Sequence, residues 1–327
     1  MYTQQLSLMW DKASIAKNEG WKVSLTPEVL DEVRRELEFL RKNGKTWEQF
    51  VNGSYQIPYP AISNFSNHLL DLLFGKFGVA LVNGLDLKSF SHEEARLLLL
   101  MIGSNLGSII RQQRILHDIR NTENDRQRTF KTLDFSKSNL SSGLHTDSSH
   151  NINIMPDVVG LLCVQNARQG GDTRISNALN VHEILKQNSP DILKCLYQEF
   201  IRESRWEGKE PSLQERLSNS IPIFSYGLFT DGLSFRYSKY RLYRPYELGV
   251  KTLSAQQNEA LECLETVLNS PSLVHTFTML PGQILFTNNH ILAHERTPFV
   301  EWDEPSKRRH MVRMWVKLSR RGSVLSR

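Results

Sequence analysis

The sequence predicts a β-sandwich or barrel flanked by helices, within a single domain spanning residues 1–327. Three observations lead there. The first third carries helical periodicity with helix-start signals, the second half is mostly short apolar segments separated by turns, and no linker divides them. Residues 1–70 read as a helical lead-in and residues 75–318 as the main body.

The elements follow in order. Thr26-Pro27-Glu28 is a helix start, a threonine cap followed by proline at the first helical position, and Leu30, Val33, Leu37 and Leu40 continue at helical spacing. Residues 77–84 form an apolar strand ended by Asn83-Gly84. Ser91-His92-Glu93-Glu94 opens a helix with a capping-box pattern, which makes His92 a first-turn surface residue. Residues 108–143 are polar and read as a long active-site insertion, with a strand-like piece at 116–119. Residues 158–165 are a continuous apolar strand, 170–173 a turn, and 173–176 a further strand. An amphipathic helix is predicted over 179–200, capped by Asn180 with His182 in its first turn. Residues 203–250 are irregular, aromatic and basic, a second insertion walling the site. Ser254 caps the next helix, and short strands follow at 274–279, 283–286 and 309–318.

Composition bounds the function. The 327 residues are 39% hydrophobic and 23% charged, with a net charge of +5, as in ordinary globular proteins. That excess is too mild to imply nucleic-acid binding, although it favours anionic small molecules. The three cysteines, Cys163, Cys195 and Cys263, are widely spaced and form neither a disulfide framework nor a zinc knuckle. No secretory signal and no membrane-length apolar run is visible, so a cytoplasmic protein without membrane or nucleic-acid partners is expected. Homo-oligomerisation is left open.

The chemistry centres on residues 144–149. His145 and Asp147 lie two positions apart in a run that reads as extended, which places both side chains on one face. Two histidines and one carboxylate, with coordination positions left open, form the ligand set of mononuclear non-heme Fe(II) oxygenases. A third ligand is available in residues 288–299, where His290 and His294 both stand. Further on, Arg309 and Arg313 are an even number apart and share a strand face with Met311. A guanidinium grips a carboxylate with two parallel hydrogen bonds, so two converging arginines imply two anionic groups to bind.

His145-Thr146-Asp147, Gly170-Gly171-Asp172-Thr173, residues 281–286, Asn289 with residues 294–299, and residues 309–315 occur in order. Together they resemble the taurine dioxygenase and clavaminate synthase-like family of Fe(II)/2-oxoglutarate oxygenases, over roughly residues 75–318. The resemblance implies a mainly β fold with flanking helices, built on a double-stranded β-helix (jelly-roll) core. It implies His145, Asp147 and His294 as the metal ligands and catalytic centre, Fe(II) as the metal, and 2-oxoglutarate and dioxygen as cosubstrates. Thr173 and Arg309 would hold 2-oxoglutarate. Arg313 resembles an arginine that holds an acidic group of the substrate; His150 and Arg236 are further substrate-contact candidates. Arg202, Arg205, Tyr237, Tyr240 and Arg244 offer additional polar recognition. The carboxylate of Asp147 separates the chain from related halogenases, which carry a small residue there. The expected reaction is hydroxylation of an unactivated C–H bond in a small carboxylate-bearing substrate, such as an amino acid or a biosynthetic intermediate. Desaturation, epoxidation or cyclisation would use the same iron site. A metal-free jelly-roll binding protein and a zinc hydrolase are the competing readings.

Overall fold

A computed structural model describes residues 5–318, apart from 51–58, 113, 122–137, 152, 205–211, 218 and 250. Part of the 108–143 insertion, and Arg205, therefore lie outside the described residues. A seven-stranded sheet forms the larger layer. It runs β1 (Lys22–Ser24), β2 (Val79–Asn83), β13 (Ile284–Asn288), β5 (Val158–Gln165), β16 (His310–Leu318) and β3 (Gly107–Ile109), with β4 (His117–Arg120) also on β16. Among the described strands of this sheet, β1 and β2 pair in parallel and the other pairs are antiparallel. Facing it is a three-stranded antiparallel sheet, β12 (His275–Phe277), β7 (Thr173–Asn177) and β14 (Leu292–Arg296). This is the double-layered jelly-roll core with flanking helices.

Strand β5 is a continuous apolar run because both of its faces are covered. Val158, Leu162 and Val164 join a cluster with helices α1 (Pro27–Lys42), α2 (Pro60–Asp71) and α3 (His92–Leu106), whereas Leu161 and Cys163 face the smaller sheet. Strand β16 alternates likewise. Val312, Met314 and Val316 pack under the helices, and Met311, Arg313 and Trp315 turn into the space between the layers. The predicted lead-in helix thus packs directly on the main sheet. Its neighbour α3 carries the predicted capping box, with the Glu94 amide donating to Ser91 Oγ at 3.2 Å and the Ser91 amide to Glu94 Oε2 at 2.7 Å. His92 is exposed in the first turn.

The helix predicted over 179–200 is two helices, α4 (Ala178–Asn188) and α5 (Pro190–Leu196), followed by strand β8 (Glu199–Arg202). Pro190 causes the break: it lacks an amide hydrogen and is accommodated as the first residue of a new helix. The cap is Asn177, whose side chain accepts from the Leu179 amide at 2.9 Å, while Asn180 Oδ1 accepts from the Trp10 amide. His182 is buried, with Nε2 2.8 Å from the Tyr197 hydroxyl. Strand β8 pairs with β9 (Asn219–Pro222), and β10 (Phe224–Tyr226) with β11 (Leu233–Phe235). Helices α4, α5, α6 (Lys239–Glu247) and α7 (Ala255–Leu268) share a second core with this hairpin, outside the smaller sheet.

The two-residue strands β6 (Gln169–Gly170) and β15 (Phe299–Val300) bring distant motifs together. Gly170 has φ +70°, and a Cβ there would lie 2.4 Å from the Pro298 carbonyl oxygen, so only glycine permits this approach. The Asp172 amide donates to Thr297 Oγ1 at 2.9 Å and the Thr297 amide returns to the Asp172 carbonyl.

Candidate metal and cosubstrate site

His145 and His294 meet through a single antiparallel bridge, each amide donating to the other's carbonyl at 3.1 and 2.9 Å. The extended run expected through Asp147 stops there. Residues 147–150 form a turn in which Ser148 has φ +53° and donates its hydroxyl to the Ile154 carbonyl. A non-glycine residue in the left-handed region costs about 1–3 kcal/mol and persists where its surroundings impose it. Here the turn sets the direction of Asp147. Asn289 pins its backbone: the Asp147 amide donates to Asn289 Oδ1 at 2.8 Å, and Asn289 Nδ2 donates to the carbonyls of Asp147 and Pro156 at 3.0 Å each.

The ligand atoms of His145, Asp147 and His294 all lie within 4.8 Å of one another. Asp147 Oδ1 is 3.6 Å from His145 Nε2 and 3.9 Å from His294 Nε2. His145 Nδ1 lies 2.8 Å from the Gly143 carbonyl; a carbonyl only accepts, so Nδ1 carries the proton and Nε2 keeps its lone pair for a metal. Asp147 Oδ2 accepts from Trp315 Nε1 at 2.7 Å and from Arg313 Nη1 at 3.4 Å, which leaves Oδ1 turned to the imidazoles. Two imidazole nitrogens and one carboxylate oxygen on one side of a cavity fit a divalent iron with open positions.

The electrostatics of Asp147 and His294 suit a bound cation. Burial pushes the Asp147 carboxyl up, but Arg313 and the two imidazoles together hold it well below the usual carboxylate range. Burial and the neighbouring His145 push His294 down to about 4, so it is neutral near pH 7 and available as a ligand. For His145 burial works downward, and the adjoining Asp147 carboxylate outweighs it. His290 is not part of this group. Its Nε2 is 2.8 Å from Asp157 Oδ1 and its Nδ1 is 3.1 Å from Ser234 Oγ, so both ring nitrogens are engaged away from the triad.

The triad opens on a cavity of about 440 Å3 between the two sheets. Thr173, Arg309, Arg313 and His150 line it. Arg309 is 8% exposed, its guanidinium over the Phe299 ring at 5.4 Å, and it makes no ion pair with any described residue. Burial pushes its pKa down to about 10, which still leaves it charged at neutral pH. Gly171, at φ +76°, passes beside it; a Cβ there would stand 3.4 Å from Arg309 Nε.

The family model for the taurine catabolism dioxygenase TauD, TfdA family matches residues 44–315. The chain belongs to this family. Over 321 residues it is 22% identical to FR-33289 synthase of Streptomyces rubellomurinus (strain ATCC 31215), covering 95% of this chain and 89% of that one. Over 154 residues it is 29% identical to a uridine-5'-phosphate dioxygenase of Amycolatopsis sp, covering 47% of this chain and 52% of that one. Among solved structures, the non-heme iron oxygenase OrfP in complex with Fe and alpha-ketoglutaric acid superposes with a TM-score of 0.64 at 18% identity, covering 90% of this chain and 94% of that one. Asparagine oxygenase (AsnO) gives 0.64 at 16% identity over 91% and 93%. Those structures are similar to this chain in fold. As a TauD, TfdA family member carrying the His145-Asp147-His294 triad, the protein is an Fe(II)/2-oxoglutarate-dependent dioxygenase.

Other expected contacts fall elsewhere. Arg236 is fully buried and does not line the cavity; its guanidinium lies over the Phe229 ring at 5.6 Å. Strand β11 ends at Phe235 against the Ile223 and His290 backbones, and this turns Arg236 into the protein rather than toward the opening. Arg202 is equally buried and donates to the carbonyls of Ser149, Ile221 and Pro222, bracing the wall from behind. Arg244 is held among Glu203 and Glu247, and Tyr237 is a core residue. Tyr240 does line the cavity.

Several lining residues have no role assigned from the linear sequence, although Glu295 and Arg296 stand within the motif at residues 294–299. Arg296 clamps the mouth by donating to the carbonyls of Ser138, Asn139 and Leu140. Glu295, buried beside the metal ligand, takes Ser141 Oγ at 2.6 Å and pairs with Arg174. Gln112 accepts from Arg313 Nη2 at 2.6 Å. Trp315 was legible in principle, since a period of two carries the face of Met311 and Arg313 onward to residue 315. Among the described residues, no helix is long and apolar enough to cross a membrane.

Proposed function

We propose that the enzyme hydroxylates an unactivated C–H bond of a small carboxylate-bearing substrate, an amino acid or a biosynthetic intermediate. One observation carries this reading: Arg309 and Arg313 turn two guanidinium groups into the same cavity as the metal triad. Iron and 2-oxoglutarate, when bound, supply dioxygen activation and C–H oxidation, with succinate and carbon dioxide as coproducts.

The protein's own residues bind, orient and exclude water. Arg309 grips the distal carboxylate of 2-oxoglutarate as a fork, and the Thr173 hydroxyl donates to a cosubstrate carboxylate. Arg313 stands between Asp147 and the opening, placed to take an acidic group of the substrate. His150, on the turn after Asp147, is a second substrate contact. Leu161, Ile119 and Met311 provide an apolar wall that keeps water from the reacting bond. The amino-acid character of the substrate gains support from the solved relatives crystallised with L-Arg and with 3-hydroxyasparagine.

The test is a screen of amino acids and related carboxylates against the iron-loaded enzyme, read out as succinate formed and product mass. A substrate that stimulates succinate and returns one oxygen heavier is expected. A product lighter by two hydrogens would replace hydroxylation by desaturation. Stimulation only by compounds lacking a carboxylate would overturn the substrate class.

A further inference from the structure

We propose that Trp315 is a positioning residue for the metal, selecting which carboxylate oxygen of Asp147 faces the two imidazoles. The inference rests on the reading of His145, Asp147 and His294 as metal ligands. The two oxygens of an aspartate are chemically equivalent, and the terminal torsion that exchanges them is broad. Something outside the side chain must therefore assign them. Trp315 Nε1 reaches Oδ2 at 2.7 Å, and Arg313 Nη1 reaches the same oxygen at 3.4 Å. Oδ1 is left toward His145 and His294.

The indole is the more durable of these two donors. The shorter hydrogen bond of Arg313 goes to Gln112 Oε1, at 2.6 Å, and its guanidinium is the group proposed to engage the substrate. Among the described residues, Trp315 has no competing partner for its single N–H, which donates and never accepts. It is also neutral. A second cation against Oδ2 would withdraw charge from the ligand and repel the metal, whereas a neutral N–H restrains the oxygen with less loss of donor strength.

The backbone makes the placement rigid. Trp315 pairs with Val159 in the interior of the main sheet, and its carbonyl accepts from the Ile110 amide at 2.8 Å. The Arg313 guanidinium lies 4.5 Å from the indole centroid, so the two donors to Oδ2 also hold each other. Losing such a partner to a metal ligand typically costs 10- to 100-fold in metal affinity.

The test compares Co(II) binding by full-length wild-type and Trp315→Phe apoproteins, by calorimetric titration and by the visible absorption of the bound ion. Phenylalanine keeps a ring beside Arg313 but removes the donor. The expected result is a Co(II) dissociation constant raised by about 10- to 100-fold with a changed absorption band. Equal affinity and an identical band would overturn the proposal. Failure of the wild type to bind Co(II) would instead defeat the metal-site reading beneath it. Should the variant not fold, the wild-type protein decides the matter. In 15N-labelled wild type, the Trp315 indole N–H should resist hydrogen exchange and shift when Zn(II) is added. A freely exchanging indole indifferent to Zn(II) would overturn the assignment.

Discussion

Replacing Arg309 with lysine should weaken 2-oxoglutarate binding while leaving the metal site loaded. Arg309 is 8% exposed, lies against Phe299 and has no ion-pair partner among the described residues. It stays charged, because burial brings its pKa only to about 10. A guanidinium offers a carboxylate two parallel charge-assisted hydrogen bonds, whereas an ammonium keeps the charge and at best one of them. A hydrogen bond to a charged group contributes about 1.5–3 kcal/mol, so losing one corresponds to roughly a 10- to 150-fold weaker complex. The Phe299 platform and the Gly171 backbone are shaped for a planar fork, which places the expected effect in the upper half of that range. The assay is anaerobic titration of the Fe(II)-loaded protein with 2-oxoglutarate, with Fe(II) binding measured in parallel. An unchanged 2-oxoglutarate dissociation constant in Arg309→Lys would refute the assignment. Loss of iron binding in the same variant would show that Arg309 acts on the metal site instead.

Three further outcomes follow from the geometry. His294→Ala should abolish stoichiometric Fe(II) binding, measured by metal analysis after desalting, and full retention of iron would exclude His294 as a ligand. Asn289→Ala removes three buried hydrogen bonds and strands the Asp147 amide, so it should lower unfolding free energy by about 2–4 kcal/mol in urea melts; a loss below about 1 kcal/mol would contradict the pinning role. His290 is held near 4 by burial, against 6.5 when unfolded, so the unfolded chain takes up its proton first as pH falls. The stability contributed by neutral His290 is complete above pH 6.5 and declines between pH 6.5 and 4, by about 3 kcal/mol in all. Urea midpoints across that window should fall more steeply in the wild type than in His290→Gln, and equal slopes would discard the explanation.

How much of this was legible beforehand depends on the distance over which each feature is set. The capping box at Ser91 and the continuous apolar run of Val158–Gln165 are local or periodic patterns, and they appear where the sequence placed them. The helix over 179–200 was misread because its apolar spacing runs on through Ser189-Pro190, where the chain itself cannot. Arg236 looked like Arg309 and Arg313 in the linear chain, a cation beside an apolar strand. Which way it points depends on how β11 meets Ile223 and His290, a choice made by packing between strands far apart in sequence.

The sequence by itself determined the ligand types, their order and the parity that puts Met311, Arg313 and Trp315 on one face. These depend only on residue identity and the two-residue repeat of a strand. Tertiary structure decided the rest. It engaged His290 with Asp157 and Ser234 and left His294, already singled out by the family resemblance, at the triad. It brought Gly170 against Pro298, and through that contact set Thr173 beside Arg296. It also divided the two oxygens of Asp147 between a tryptophan and the metal position. Each of these depends on distances of a few ångströms between residues separated by scores to more than a hundred positions, and no local propensity encodes them.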